Sequence, residues 1–165
     1  MSAATPAAML IDSNEEVRDL MRAKLESGGI EVLAERAHGI AAQQAIQDLA
    51  PELIFVAIEQ PIQRAMQVVE FGRAAAPDAL IVAYANSWSP TVERRLMQAG
   101  VNDFLHGKVT RDQVKAIATR ARHKVRSSGT AFATPSHHLE LYCHQWATKR
   151  FFFDSTGEFF FNVAD

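Results

Sequence analysis

The sequence predicts an α/β protein in which a doubly wound, five-stranded parallel sheet is followed by a C-terminal extension with a β-hairpin. Over residues 1–126, short apolar runs alternate five times with stretches of helical periodicity, an order that is typical of β–α units. The apolar runs do not alternate with polar residues, as expected for strands that are covered on both faces. From residue 127 onwards the composition changes, which predicts a separate segment.

The first β–α unit has a well-marked helix start. The run AAMLI at 7–11 predicts a strand, and Asn14 can then cap a helix with its side-chain oxygen. The apolar residues of this helix fall at helical spacing and predict one buried face: Val17, Leu20, Met21 and Leu25. The glycines of the SGG stretch at 27–29 predict its end.

Four more units repeat this order. Strands are predicted at 30–34, 53–58, 79–85 and 101–106. Helices are predicted at 39–50, 63–76, 91–100 and 110–126, with Thr110 as the cap of the last one. Ligand chemistry in such sheets takes place at the carboxyl ends of the strands, so functional residues are expected there.

The C-terminal segment divides into a linker at 127–136, which is rich in small and polar residues, and an extension at 137–165. Six of the ten Phe residues of the chain flank a DSTG turn sequence, which predicts a β-hairpin. These residues are Phe151, Phe152, Phe153, Phe159, Phe160 and Phe161. Both faces of the hairpin would be apolar, so we expect them to be covered by the same domain, a second copy of the chain or a partner.

Composition excludes several classes of protein. A net charge of −2 argues against a generally nucleic-acid-coating surface, and the lone Cys143 rules out an internal disulfide framework. No run approaches the roughly 20 apolar residues of a membrane helix, and the start of the chain lacks the features of a signal peptide. We therefore expect a cytoplasmic protein. His137, His138, Cys143 and His144 lack metal-site spacing, so no metal or cofactor is expected.

The stretches LIDSN, LIFVAIEQP and AGVNDFL, set in five β–α units, make residues 7–126 resemble the receiver domain of two-component response regulators. The resemblance implies a flavodoxin-like fold. It also implies a phosphorylation site at which an Asp after the third strand attacks a phosphoryl donor. In that family an acidic pair after the first strand holds Mg²⁺, and a Thr or Ser and a Lys bind the phosphoryl oxygens.

At most of these positions the sequence departs from the family pattern. Asp12 keeps the first acid of the pair, but Ser13 replaces the second, and Ala57 stands where the nucleophile belongs. Tyr84 occupies the hydroxyl position. The Lys position falls on Gly107, with Lys108 one residue late. We therefore expect a degenerate pseudo-receiver that cannot form an aspartyl phosphate at residue 57.

Three states of the emptied pocket are open at the sequence level. Asp12 and the nearby Glu59 are most simply solvated loop carboxylates. They could instead hold a weakly bound cation, although two separated carboxylates make a poor Mg²⁺ site. In the third state, Glu59 or Tyr84 fills the pocket and fixes one conformation.

The functional hypothesis is a non-enzymatic, phosphorylation-independent protein–protein interaction module in bacterial signalling. We expect a homodimer formed through the C-terminal extension or the surface of helix four, strand five and helix five. The candidate interface residues on that surface are Arg94, Arg95, Phe104 and Lys115. Alternatives are nucleic-acid binding by the basic end of helix five, an unorthodox phosphosite, or a small-molecule ligand.

Overall fold

In the computed structural model, which describes residues 5–87, 89–128, 152–153 and 159–160, five parallel strands form a single sheet. Strands and helices alternate along the chain as β1 (Ala7–Ile11), α1 (Glu15–Ser27), β2 (Glu31–Arg36), α2 (Ile40–Leu49), β3 (Leu53–Ala57), α3 (Gln63–Ala75), β4 (Leu80–Ala85), α4 (Pro90–Ala99), β5 (Asp103–His106) and α5 (Arg111–Ser128). Across the sheet the strand order is β2-β1-β3-β4-β5. The predicted doubly wound, flavodoxin-like receiver fold is confirmed.

The helices cover the sheet on both faces. One core cluster joins residues of α1 and α5 to the sheet around Phe55, and a second joins α2, α3 and α4 to the sheet around Ile54. Every residue of β3 is buried. This burial on both faces explains why the strands carry apolar residues without alternation.

Side-chain caps begin three of the helices. The side chain of Asn14 accepts a hydrogen bond from the Val17 amide at the start of α1, and Ser89 does the same for Val92 in α4. At α5, Thr110 and Gln113 form a reciprocal capping box, with distances of 2.9 Å and 3.3 Å. The predicted caps Asn14 and Thr110 are therefore present.

The predicted bounds need correction at the fifth strand. β5 begins at Asp103 instead of residue 101, because Gly100, with φ of 119°, ends α4 and residues 101 and 102 connect it to the strand. In this connection the Asn102 side-chain oxygen accepts hydrogen bonds from the Ile81 amide and from Arg73. The connection is thus fixed by side-chain bonds that the apolar pattern does not contain.

The end of the last helix also differs from the prediction. α5 extends to Ser128, two residues into the predicted linker, because no helix-breaking residue occurs before Gly129. The remainder of the linker lies outside the described residues.

The predicted apolar face of α1 is only half buried. Met21 and Leu25 are buried, whereas Val17 is 42% and Leu20 65% exposed. α1 packs against α5 at its C-terminal end, where a Cβ atom on Gly28 would lie 2.3 Å from Val114 Cγ1. The first turns of α1 lie instead beside the carboxyl edge of the sheet, where Val17 and Leu20 line an open cleft.

The chain divides into two compact units, Met1–Ser128 and Gly129–Asp165. In the second unit, β6 (Phe152–Phe153) and β7 (Phe159–Phe160) pair antiparallel, with Phe152 opposite Phe160 and Phe153 opposite Phe159. The predicted hairpin is present in the backbone as this strand pair. Several residues named from the sequence lie outside the described residues: Phe151, Phe161, His137, His138, Cys143 and His144.

Candidate functional site

Three neighbouring strands bring Asp12, Ala57 and Tyr84 into one row at the carboxyl edge of the sheet. Ala57 on β3 is the register partner of Tyr84 on β4, and Asp12 directly follows Ile11, the partner of Val56. All three residues are buried, with Asp12 only 2% exposed. Side chains in register on neighbouring strands share a face, so the methyl group of Ala57 lies between the other two side chains.

The Tyr84 hydroxyl donates a hydrogen bond to Asp12 Oδ2 at 2.6 Å across this row. The other carboxylate oxygen of Asp12 accepts from the Asn14 amide at 2.8 Å. Because an alanine fills the intervening position, no larger side chain obstructs the contact between the phenol and the carboxylate. The base of this site is therefore closed by a Tyr–Asp pair.

Burial sets the protonation of this pair. It raises the pKa of Asp12, while the hydrogen bonds from Tyr84 and Asn14 oppose that effect. Burial and the hydrogen bond to Asp12 together raise the pKa of the Tyr84 phenol far above its usual value. The phenol consequently keeps its proton and acts as a permanent hydrogen-bond donor.

A second group of side chains surrounds Glu59 beside this row. Glu59 Oε1 accepts from the Ser13 amide at 3.0 Å, and the Ser13 hydroxyl lies 3.0 Å from His38 Nδ1. Although burial favours the neutral acid, the hydrogen bonds from Ser13 hold the pKa of Glu59 below its usual value. Glu59 therefore remains a carboxylate that ties two loops together.

His38 is a site residue that the sequence analysis did not identify. Its side chain is 1% exposed, and Nε2 lies 2.8 Å from the Ala57 carbonyl oxygen. A carbonyl can only accept, so Nε2 donates this hydrogen bond, and Nδ1 faces the Ser13 hydroxyl and, at 3.8 Å, Glu59 Oε2. The available signal was topological, because the loop after β2 reaches the same edge of the sheet as the loop after β1.

The row opens into a cleft of about 820 Å³. One wall is the exposed side of α1, and the opposite wall is the turn after β5, where Gly107 adopts φ of 61°. Lys108 follows in this turn and is exposed at the cleft. The structure thus brings the seven residues predicted for the degenerate pocket to one cleft: Asp12, Ser13, Ala57, Glu59, Tyr84, Gly107 and Lys108.

The expectation of solvated carboxylates is wrong for Asp12, because both of its oxygens are engaged by protein donors inside the fold. Glu59 is partly exposed, at 33% of its side chain. Among the described residues no group of three or more acidic, His or Cys side chains is arranged to hold a metal ion. An alanine methyl has no lone pair with which to attack phosphorus, so residue 57 cannot form an aspartyl phosphate.

The candidate interface residues lie away from this cleft. Arg94 and Arg95 on α4 and Lys115 on α5 are exposed, whereas Phe104 is half-buried against the second core cluster. On the basic face of α5, Arg120 pairs with Asp103. None of the helices in the described part of the chain is long and apolar enough to cross a membrane.

Comparison with known proteins identifies relatives by structure alone. No protein-family model and no curated protein matches the sequence. The signal receiver domain of a modulated diguanylate cyclase from Desulfovibrio desulfuricans matches with a TM-score of 0.67 and 20% identity, over 76% of this chain and 99% of that one.

Two further receiver domains are similar. The signal receiver domain of NarL from Mycobacterium tuberculosis matches with a TM-score of 0.64 and 19% identity, over 72% of this chain and 97% of that one. The REC domain of AraT, a response regulator from Geobacillus stearothermophilus, matches with a TM-score of 0.65 and 15% identity, over 77% of this chain and 100% of that one. At these identities the comparison establishes the receiver-domain fold of this chain.

The buried Tyr84–Asp12 hydrogen bond predicts that Tyr84 does not ionise when the native protein is titrated with alkali. A group whose pKa is raised on folding contributes stability below its unfolded pKa, about 10 for Tyr, and that stability is lost as the pH rises further. We expect native wild-type protein and Y84F to show the same increase in phenolate absorbance with pH. In denaturant the wild type should show the larger increase. An additional phenolate in the native wild type, with a midpoint near that of free tyrosine, would contradict the structure.

Proposed function

We propose that this chain is a phosphorylation-independent pseudo-receiver, a non-enzymatic regulatory module in cytoplasmic bacterial signalling. The observation that carries the proposal is the Tyr84–Asp12 hydrogen bond across Ala57. It fills the base of the site with a hydroxyl donor and a carboxylate acceptor that are already hydrogen-bonded to each other. A receiver that still relied on phosphoryl transfer would need those same atoms free for the metal and the phosphoryl group.

The neighbouring positions support the same proposal. The residue after Asp12 is a serine whose amide and hydroxyl both serve internal hydrogen bonds, to Glu59 and His38. At the end of β5, Gly107 contributes no side chain, and Lys108 lies one position further along the turn. Loss of the nucleophile is therefore matched by changes in the groups that would bind its product.

Phosphoryl transfer can be tested directly by mass. We expect the intact mass of the chain to stay unchanged after incubation with acetyl phosphate and Mg²⁺, because no carboxylate in the cleft is placed as the nucleophile. A receiver domain that retains its strand-three Asp provides the positive control for the donor. Gain of one phosphoryl group by the wild-type chain would contradict the proposal.

Ala57→Asp is the matched variant for the same experiment. It returns a carboxylate to residue 57 but leaves Ser13, Tyr84 and Gly107 in the places of the second acid, the small hydroxyl residue and the lysine. We expect it to remain unphosphorylated as well, because the donors that stabilise the phosphoryl oxygens are still absent.

We also propose that the module acts as a homodimer. Two surfaces support this: the strand pair of Phe152–Phe153 with Phe159–Phe160, and the outer side of α4, where Arg94 and Arg95 are exposed and Met97 is 59% exposed. Binding of nucleic acid by α5 is less well supported, because Arg120 is paired with Asp103 and Arg122 donates to Thr119.

The dimer and its location can be tested together by light-scattering mass measurement. We expect the full chain to be a dimer. A chain truncated after Ser128 should be a monomer if the extension forms the interface, and a dimer if the α4 side does. In the second case, the double variant R94E/R95E should dissociate it through like-charge repulsion. Monomers of both the full and the truncated chain would refute the dimer.

A further inference from the structure

The wall of the cleft formed by α1 carries apolar side chains that the fold does not use. Val17, Leu20, Met21 and Lys24 follow the spacing of one helix face and all line the cleft. Met21 is buried beneath, but Val17 is 42% and Leu20 65% exposed. Exposed apolar side chains scattered over a surface need no explanation, whereas a row of them lining a cavity provides a binding surface.

The charged groups of the cleft are not equally available to a ligand. Both oxygens of Asp12 accept protein hydrogen bonds, and Glu59 accepts from Ser13 beside His38. Lys24 and Lys108, in contrast, form no ion pair or side-chain hydrogen bond within the described part of the chain. Lys24 is also half-buried. The ammonium groups of Lys24 and Lys108 are therefore available to pair with an acidic group of a ligand.

The cleft has the dimensions of a site for a small molecule. Its volume of about 820 Å³ is within the range of roughly 300–1,000 Å³ that is usual for ligand pockets. Its base is closed by the Tyr84–Asp12 pair, and Asn14 and Asn86 add polar groups to its lining. Apolar lining with a few polar groups that fix orientation is the usual composition of such sites.

We propose that the cleft binds an amphiphilic organic anion, whose apolar body packs on Val17 and Leu20 and whose acidic group pairs with Lys24 and Lys108. The ligand class is a carboxylate, sulfonate or phosphate ester that carries an aromatic or aliphatic body. The proposal rests on the proposed function, because a cleft that no longer performs phosphoryl transfer is free to bind another ligand. A small molecule bound there would contact the loops after β1, β3 and β5.

The test uses the full chain and two probes that differ in charge. Anilinonaphthalene sulfonate is an aromatic sulfonate, and phenylnaphthylamine is its neutral analogue. We expect saturable binding of the sulfonate by fluorescence, weaker binding of the neutral analogue, and displacement of the sulfonate by decanoate. Added salt should weaken the binding of the sulfonate more than that of the neutral probe, since it screens exposed charges.

Matched variants locate the binding. Lys24→Gln and Lys108→Gln should each weaken sulfonate binding about fivefold, the upper value for an exposed ion pair. Leu20→Asn should weaken the binding of both probes. The controls are Arg64→Gln and Ile40→Asn, which change an exposed cation and an exposed apolar residue that neither line the cleft nor belong to the proposed dimer surface. Both control variants should bind like the wild type.

Three results would overturn the proposal. Binding that is unchanged in the Leu20, Lys24 and Lys108 variants would place the probe elsewhere on the chain. Equal binding of the two probes, with no effect of the lysine variants, would exclude recognition of an anion. Absence of saturable binding of the sulfonate would exclude the cleft as a site for amphiphilic anions. Each is separate from failure of the proposed function, which would appear as phosphorylation in the mass measurement.

Discussion

The hydrogen bond between Tyr84 and Asp12 is the constraint on which the rest of the site depends. It joins β4 to the end of β1 across β3. The small side chain of Ala57 leaves room for this contact. A buried carboxylate without a partner is costly, so Asp12 needs a hydrogen-bond donor from within the fold. The phenol of Tyr84 provides it, and burial keeps the phenol protonated.

The loops around this bond are fixed by a second set of contacts. His38 donates to the carbonyl of Ala57 and is hydrogen-bonded to the hydroxyl of Ser13, whose amide donates to Glu59. The loops after β1, β2 and β3 are thus tied to one another by these side chains. The open part of the site is the outer cleft between α1 and the turn after β5, where the unused apolar and cationic side chains lie.

Much of the fold could be predicted from the sequence, since apolar runs without alternation indicate buried parallel strands, and Asn14 and Thr110 mark helix starts by their own chemistry. The resemblance to receiver domains placed Ala57 and Tyr84 at one site, and in the structure they are register partners. Two features could not be predicted. Leu20 is exposed because α5 covers only the C-terminal end of α1. The spacing of apolar residues within one helix does not show which part of that helix a neighbouring helix covers. The role of His38 depends on a contact across 19 residues that leaves no local pattern.

The central claim is that Tyr84 and Asp12 stabilise one another across Ala57, and a double-mutant cycle tests it most directly. The free energy of unfolding would be measured by denaturant for the wild type, D12N, Y84F and the double variant. A hydrogen bond to a charged group predicts a coupling energy of about 1.5–3 kcal/mol. A coupling energy near zero would mean that the two side chains do not interact in the folded protein and would contradict this account of the site.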